Sequence, residues 1–430
     1  MNPSALHSDD WFALRLQLSV TRHSLGWLTA ANLVGVLLAL FLLRPQWGEV
    51  LGEFSYGRWM PLHLNWHLYG WCSLPAVGVL LRRFLPPTET ALLQAQWVLR
   101  LWSVALAIGG WSWLHGQTSG KLFLDWTGPS RIALLMALVA LWLVLAWNYW
   151  CLKAVRHSRG RIVVIVESLL LAALGAVPGL LYWSSGRGVY PPVDPSTGGP
   201  TGASLLGSTL VIVVVIGLLP KALSLPSRKP RAERVYWGCF CFSSLLFATL
   251  HYAPPSHVDW RQILGLASLL AWAPLGAAYM RAFDWGIESQ RWLFAISAWW
   301  ALLILSGFIS FLPGVLDRFK FTHALVAHAH LAMAGFLTSL NLLMLGNLKD
   351  HSPGVSQILG RRKPFVIWHG ALLLHLIALS GLATAEIESA GRFVIDDASG
   401  WALVRLIAGL VMAAVSIHWS MHMCKAACPA

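Results

Sequence analysis

Long apolar runs separated by short polar loops occupy the chain from about residue 24 onward. Twelve of them approach the ~20 residues that a helix needs to cross a bilayer. They lie near 24–43, 61–82, 95–114, 131–152, 162–184, 203–223, 235–252, 261–281, 291–312, 322–346, 364–385 and 402–423. The pattern predicts an all-α fold, a polytopic membrane protein with twelve transmembrane helices in one bundle. No low-complexity linker or internal repeat divides it. The expected organisation is a cytoplasmic N-terminal segment over 1–23, a membrane domain over 24–424 and a cytoplasmic tail over 425–430. Residues 1–23 are mixed and polar, so no cleavable signal peptide is expected.

Composition supports this reading. The chain is 57% hydrophobic and 11% charged, where a soluble domain carries about 25% charged residues. A net charge of +13 raises the question of nucleic acid, but the basic residues sit in short loops between apolar runs, which is the signature of membrane orientation. Arg82 and Arg83, then Lys153, Arg156, Arg159 and Arg161, then Arg228, Lys229, Arg231 and Arg234, Arg281, and finally Lys349, Arg361, Arg362 and Lys363 follow the even-numbered runs. The other loops are poorer in Lys and Arg and include "YPPVDPSTGGP" and "AEIESAGRFVIDD". The bias predicts cytoplasmic basic loops and both termini cytoplasmic, as an even number of spans requires. Six cysteines show no disulfide framework; Cys239 and Cys241 form a C-x-C with no second pair, read as packing rather than metal binding.

Histidines carry the candidate chemistry. In this topology His63, His67, His115, His251, His257, His323, His328 and His330 fall toward the outer side of the membrane. Polar side chains inside a bilayer are costly and mark cavities, partners or cofactors, and imidazole is a leading ligand for iron, copper and zinc. His115 and His257 read as interfacial, and His369, His375, His418 and His422, scattered over the inner half, stay unassigned, since a lone intramembrane histidine is more often a hydrogen-bonded packing residue than a ligand. The stretch "FTHALVAHAHLAMAGF" over 321–336 holds His328 and His330 one residue apart. Positions i and i+2 lie about 200° apart on a helix, so the two imidazoles address different faces. A zinc site wants three or four ligands in one small shell. Two planar iron porphyrins flanking one helix suit divergent ligands better. Small residues nearby (Ala327, Ala329, Ala332, Ala334, Gly335, and Gly70 in the second span) let flat rings approach, although they also serve ordinary helix packing.

Twelve spans, "PLHLNWHLYGW" in the second and "HAHLAMAG" in the tenth resemble the catalytic subunit I of the haem-copper oxidase superfamily, closest to its cbb3-type and nitric-oxide-reductase branches. The resemblance implies that His63 and His330 hold a low-spin haem and His328 a second haem, with His67 the competing second-span ligand. It also implies that Arg392 and Arg405 pair with haem propionates, plain interface anchoring being the other reading. The family builds its copper site from one histidine in span six and a His-His pair in span seven. Here span six, "TGASLLGSTLVIVVVIGLLP", has none and span seven offers His251 alone, so copper is not expected. Glu167 is the only carboxylate well inside a span, either a proton-relay group or a helix-packing hydrogen-bond partner.

The expected function is therefore a haem-binding, subunit-I-like electron-transfer protein of a respiratory-type complex in a bacterial cytoplasmic (inner) membrane, an oxidoreductase in broad class. Two non-covalent, b-type haems are expected, since no C-x-x-C-H occurs. The expected partners are membrane lipid, a cytochrome c-type subunit or soluble cytochrome c, and other subunits, with no nucleic acid. The alternatives are an oxygen or nitric oxide reductase with an atypical metal site, and a transporter or structural subunit without haem.

Overall fold

A computed structural model of the chain describes residues 8–152, 160–190, 193–195, 198–349, 353–389 and 399–426. Twelve long helical stretches stand where the apolar runs are. They are α1 Ser8–Leu43, α2 over 56–84, α3 Glu89–Leu114, α4 Gly128–Cys151, α5 Arg161–Ser184, α6 Gly202–Ala222, α7 Pro230–Leu250, α8 Trp260–Met280, α9 Ile287–Ser310, α10 His323–Gly346, α11 Arg362–Glu388 and α12 Ser399–Ala426. Among the described residues no strand forms, only two isolated bridges, Val193 to Pro200 and Ser227 to Phe283.

Ten of these helices are long and apolar enough to cross a membrane. The two that fall short, α2 and α7, do so for different reasons. In α2 the helical run breaks at Ser73, which separates 56–72, ending in the π-helix Trp66–Cys72, from Leu74–Phe84, and neither piece is long enough alone. In α7 the first turn contains Arg231, Glu233 and Arg234, which lower its mean hydropathy. The chain is a transmembrane helical protein with ten candidate spans.

Helix starts follow ordinary capping chemistry. Thr88 accepts a hydrogen bond from the Ala91 amide ahead of α3, and Thr201 accepts one from Ser204 ahead of α6. Proline enters the first turn of α4 and α7, where its missing N–H costs nothing. The N-terminal segment differs from expectation: α1 begins at Ser8, and Phe12, Leu16 and Val20 are completely buried along one side with Gln17 and Thr21. Spacing of three and four residues puts these on one helical face, so the mixed sequence there forms an amphipathic helix.

The chain divides into two compact units where the sequence suggested one bundle: residues 1–190, 344–359 and 413–430 in the first, 191–343 and 360–412 in the second. Each has a tryptophan-rich core in which several indole and phenol groups donate to backbone carbonyls. In the first, Trp102 donates to the Tyr69 carbonyl at 2.7 Å and Trp66 to that of Leu106 at 3.0 Å. In the second, Tyr236 stacks on Tyr279 at 4.0 Å, and their hydroxyls donate to the carbonyls of Val213 and Gly217. Buried aromatic donors that lack water must find such partners.

Candidate functional site

In the first unit, α2 presents His63 to α1. The His63 Nδ1–H donates to the Ala31 carbonyl at 2.9 Å. That carbonyl can only accept, so the proton sits on Nδ1 and the lone pair on Nε2. Room for the ring comes from Gly35 one turn along α1. A Cβ there would lie 2.6 Å from His63 Cε1 and 2.9 Å from Nδ1. His67 stands edge-on to His63 with ring centroids 4.8 Å apart, as the i, i+4 spacing predicts. Gly70 lets α2 approach Trp27 of α1, whose Cβ would be 2.6 Å from an added methyl.

In the second unit, the two histidines of α10 diverge as their spacing requires. His328 meets α9: its Nδ1 is 3.0 Å from the Ser306 hydroxyl, and its ring lies against Gly307, where a Cβ would be 3.2 Å from Cε1. Ser306 Oγ also lies 3.2 Å from the Leu303 carbonyl, so the hydroxyl either donates there and accepts from His328 Nδ1–H or donates to Nδ1 itself. His330 turns toward α11, with His375 at 4.7 Å between ring centroids, and its Nδ1–H donates to the Val326 carbonyl one turn back at 2.8 Å. His63 and His330 thus hold the proton on Nδ1, and His328 does so when Ser306 donates to Leu303. Metal-bound imidazole shows that arrangement, a carbonyl or similar acceptor fixing the far nitrogen. It is not unique to them, since His115 also donates to its i−4 carbonyl, that of Trp111, at 2.8 Å. His63 and His328 are distinguished by taking their Nδ1 partners from another helix.

A charged network fixes the start of α10. The Glu386 carboxylate accepts from the His323 backbone N–H at 2.7 Å and from His323 Nδ1–H at 2.5 Å. The Arg405 guanidinium, buried at 8% exposure, donates to His323 Nε2 at 3.1 Å. Arginine has no acceptor, so Nε2 is unprotonated and a neutral imidazole bridges the two charges. Glu386 also places its negative charge at the helix N-terminus, where the dipole favours it.

The remaining sequence expectations divide. Arg392 and most of the basic loop, 153–159, lie outside the described residues, as does Cys428. Glu167 is buried and accepts from Arg83 Nη2 at 2.5 Å, an ion pair that links α5 to the end of α2. His251 is exposed at the C-terminal end of α7, beside Phe247 and Tyr252. His257 is buried and donates to Asp194 at 2.6 Å. His369 accepts from the Trp299 indole at 3.0 Å. Among the described residues, no group of three or more His, Cys, Asp and Glu is arranged to hold a metal ion.

Sequence reasoning missed Ala31, Gly35, Ser306, Gly307 and Glu386. None carries a motif. Glu386 alone had a signal: a carboxylate immediately after the apolar run near 364–385, attributed to the following loop. No known protein-family model matches the chain, and no curated protein matches its sequence.

Proposed function

We propose that the chain is a haem-binding, subunit-I-like membrane protein that passes electrons between a donor such as a cytochrome c and its second haem. In this reading α2 and α7 join the ten qualifying helices to make twelve spans, and the basic loops and both termini face the cytoplasm of a bacterial inner membrane. Two b-type haems are held without covalent bonds. His63 and His330 are the ligands of the low-spin iron, with His67 the alternative to His63, and His328 is the ligand of the second iron. Lipid, a cytochrome c-type partner and further subunits complete the assembly.

The observation that carries the reading is that Nδ1 of each of the three imidazoles is held by a hydrogen-bond partner. The Ala31 and Val326 carbonyls accept from Nδ1–H and the Ser306 hydroxyl is able to, and in that tautomer each proposed ligand carries its lone pair on Nε2. Haem supplies a one-electron iron couple whose potential depends on its axial ligands and their hydrogen bonds. The chain's own work is positional. Gly35 and Gly307 admit the rings, and Glu386 and Arg405 fix the first turn of α10 from which His328 and His330 project. Arg405, which donates to His323 Nε2, is the described arginine proposed to pair with a haem propionate. Copper is no part of the proposal: α6 has no histidine and His251 is exposed.

The test is the absorption spectrum of the purified protein with iron and copper quantification. About two haems per chain and a Soret band are expected. His330→Ala and His63→Ala should abolish the low-spin signal and leave the second haem, and His328→Ala should do the reverse. A folded protein without a Soret band would favour a transporter or structural subunit. One copper per two irons, lost in His251→Ala, would favour an oxygen or nitric oxide reductase.

A further inference from the structure

His418 and His422, which the haem reading leaves unused, stand one turn apart near the C-terminal end of α12. Their ring centroids are 4.1 Å apart, with planes at 42°. The His422 Nδ1–H donates to the His418 carbonyl at 2.9 Å, so the lone pair of His422 is on Nε2. The register of α12 shows which way the pair faces. Between them, Ser420 donates to the Leu25 carbonyl at 3.2 Å and shares a hydrogen bond with Thr29 at 3.0 Å, both on α1. A residue two positions away points about 200° around the helix, so the histidines turn away from α1. Ser416, Trp419 and Met423 are completely buried on the packed side, whereas Met421, Cys424 and Lys425 are exposed. The half-buried pair lies on the border between the two faces.

We propose that His418 and His422 form a binding site for a divalent late transition metal, with water completing its shell. Two histidines at i and i+4 on one helical face can converge on a single ion, the spacing that zinc-binding helices use. Imidazole suits copper, nickel and zinc, and the Irving–Williams order makes Cu2+ the tightest. Met421, three residues from His418, borders the site with its thioether. Cys424 lies about 200° from His422 and does not share the face. Two ligands are fewer than the four of a structural zinc site. Lys425, three residues beyond His422, adds a positive charge on the same side. Both features make the site a micromolar one.

The full-length protein, washed with chelator, is titrated with Cu2+ and followed by calorimetry and electron paramagnetic resonance. One equivalent should bind with micromolar affinity and give an axial signal with nitrogen couplings. His418→Ala and His422→Ala should each weaken that equivalent by about tenfold or more. Lys425→Ala should tighten it several-fold, and the exposed His115→Ala should leave it unchanged. The copper signal is read apart from any haem, so the outcome does not depend on the proposed function. Titrations of His418→Ala and His422→Ala that match the parent protein, or no equivalent bound at all, would overturn the proposal.

Discussion

In α2, the histidine precedes a seven-residue π-helix, Trp66–Cys72; in α10, the histidine pair directly precedes another of the same length, Leu331–Leu337. Both helices then resume α geometry, over Leu74–Phe84 and Thr338–Gly346. A π segment carries an extra residue per turn and is frequent at functional sites. It lets the residues before it face one way while the packing face after it follows a different register. The two helices diverge in how they hold their imidazoles. In α2, the single His63 takes both acceptor and space from α1, through Ala31 and Gly35. In α10, the work is split: α9 holds His328, whereas His330 relies on its own helix and faces α11. One imidazole can lean on one neighbour, but two imidazoles about 200° apart need two.

The largest expected effect removes the shared device. Deleting Ala332 should return 331–337 to α geometry and turn His328 and His330 by about 100° relative to 338–343. Both haem signals should vanish from the spectrum while helical circular dichroism persists. Full retention of either haem would show that the π segment does not aim that ligand.

Gly35→Ala tests the dependence of α2 on its neighbour. A methyl group 2.6 Å from His63 must displace the ring, at a cost of about 1–3 kcal/mol. Thermal unfolding in detergent should show the loss, together with a reduced low-spin signal. Gly307→Ala in α9 meets His328 at 3.2 Å and should cost less than about 1 kcal/mol. Equal effects at the two glycines would erase this difference between the helices.

Glu386→Gln keeps an acceptor but removes the charge from the first turn of α10. The side chains of His323 and Glu386 are 21% and 25% exposed, so solvent screens part of the interaction. A loss of about 1.5 kcal/mol is expected in unfolding; no loss would mean that the carboxylate does not fix the helix start. Ser306→Ala is the mildest change, about 1 kcal/mol, because it removes the hydroxyl partner of His328 Nδ1. Its sharper readout is the second haem, whose affinity should fall about 10-fold with the low-spin haem unaltered.

Hydrophobic periodicity was enough to find the helices, because each must bury or bathe in lipid a long apolar surface whatever its neighbours are. The α12 run is an example: its boundaries, expected near 402 and 423, fall at Ser399 and Ala426. The divergence of His328 and His330 was equally legible, since 100° per residue is a property of the helix alone. Residues 8–23 were harder to read, because an amphipathic helix with buried Gln17 and Thr21 looks polar until its partners are known. The π segments left no trace in the pattern of apolar positions. A one-residue change of register costs little locally and is chosen by the packing on either side.

The amino-acid sequence by itself determined an all-helical transmembrane chain, the approximate limits of its helices and the opposed directions of the two α10 histidines. These follow from backbone geometry and from the cost of exposing polar groups to lipid. Tertiary structure decided the rest: two compact units, the Arg83–Glu167 and Glu386–His323–Arg405 pairings, and the partners that hold Nδ1 of His63 and His328. A carbonyl such as that of Ala31 exists at every residue, and a glycine such as Gly35 is one of many. Only the approach of a second helix to within 3 Å turns either of them into part of a site.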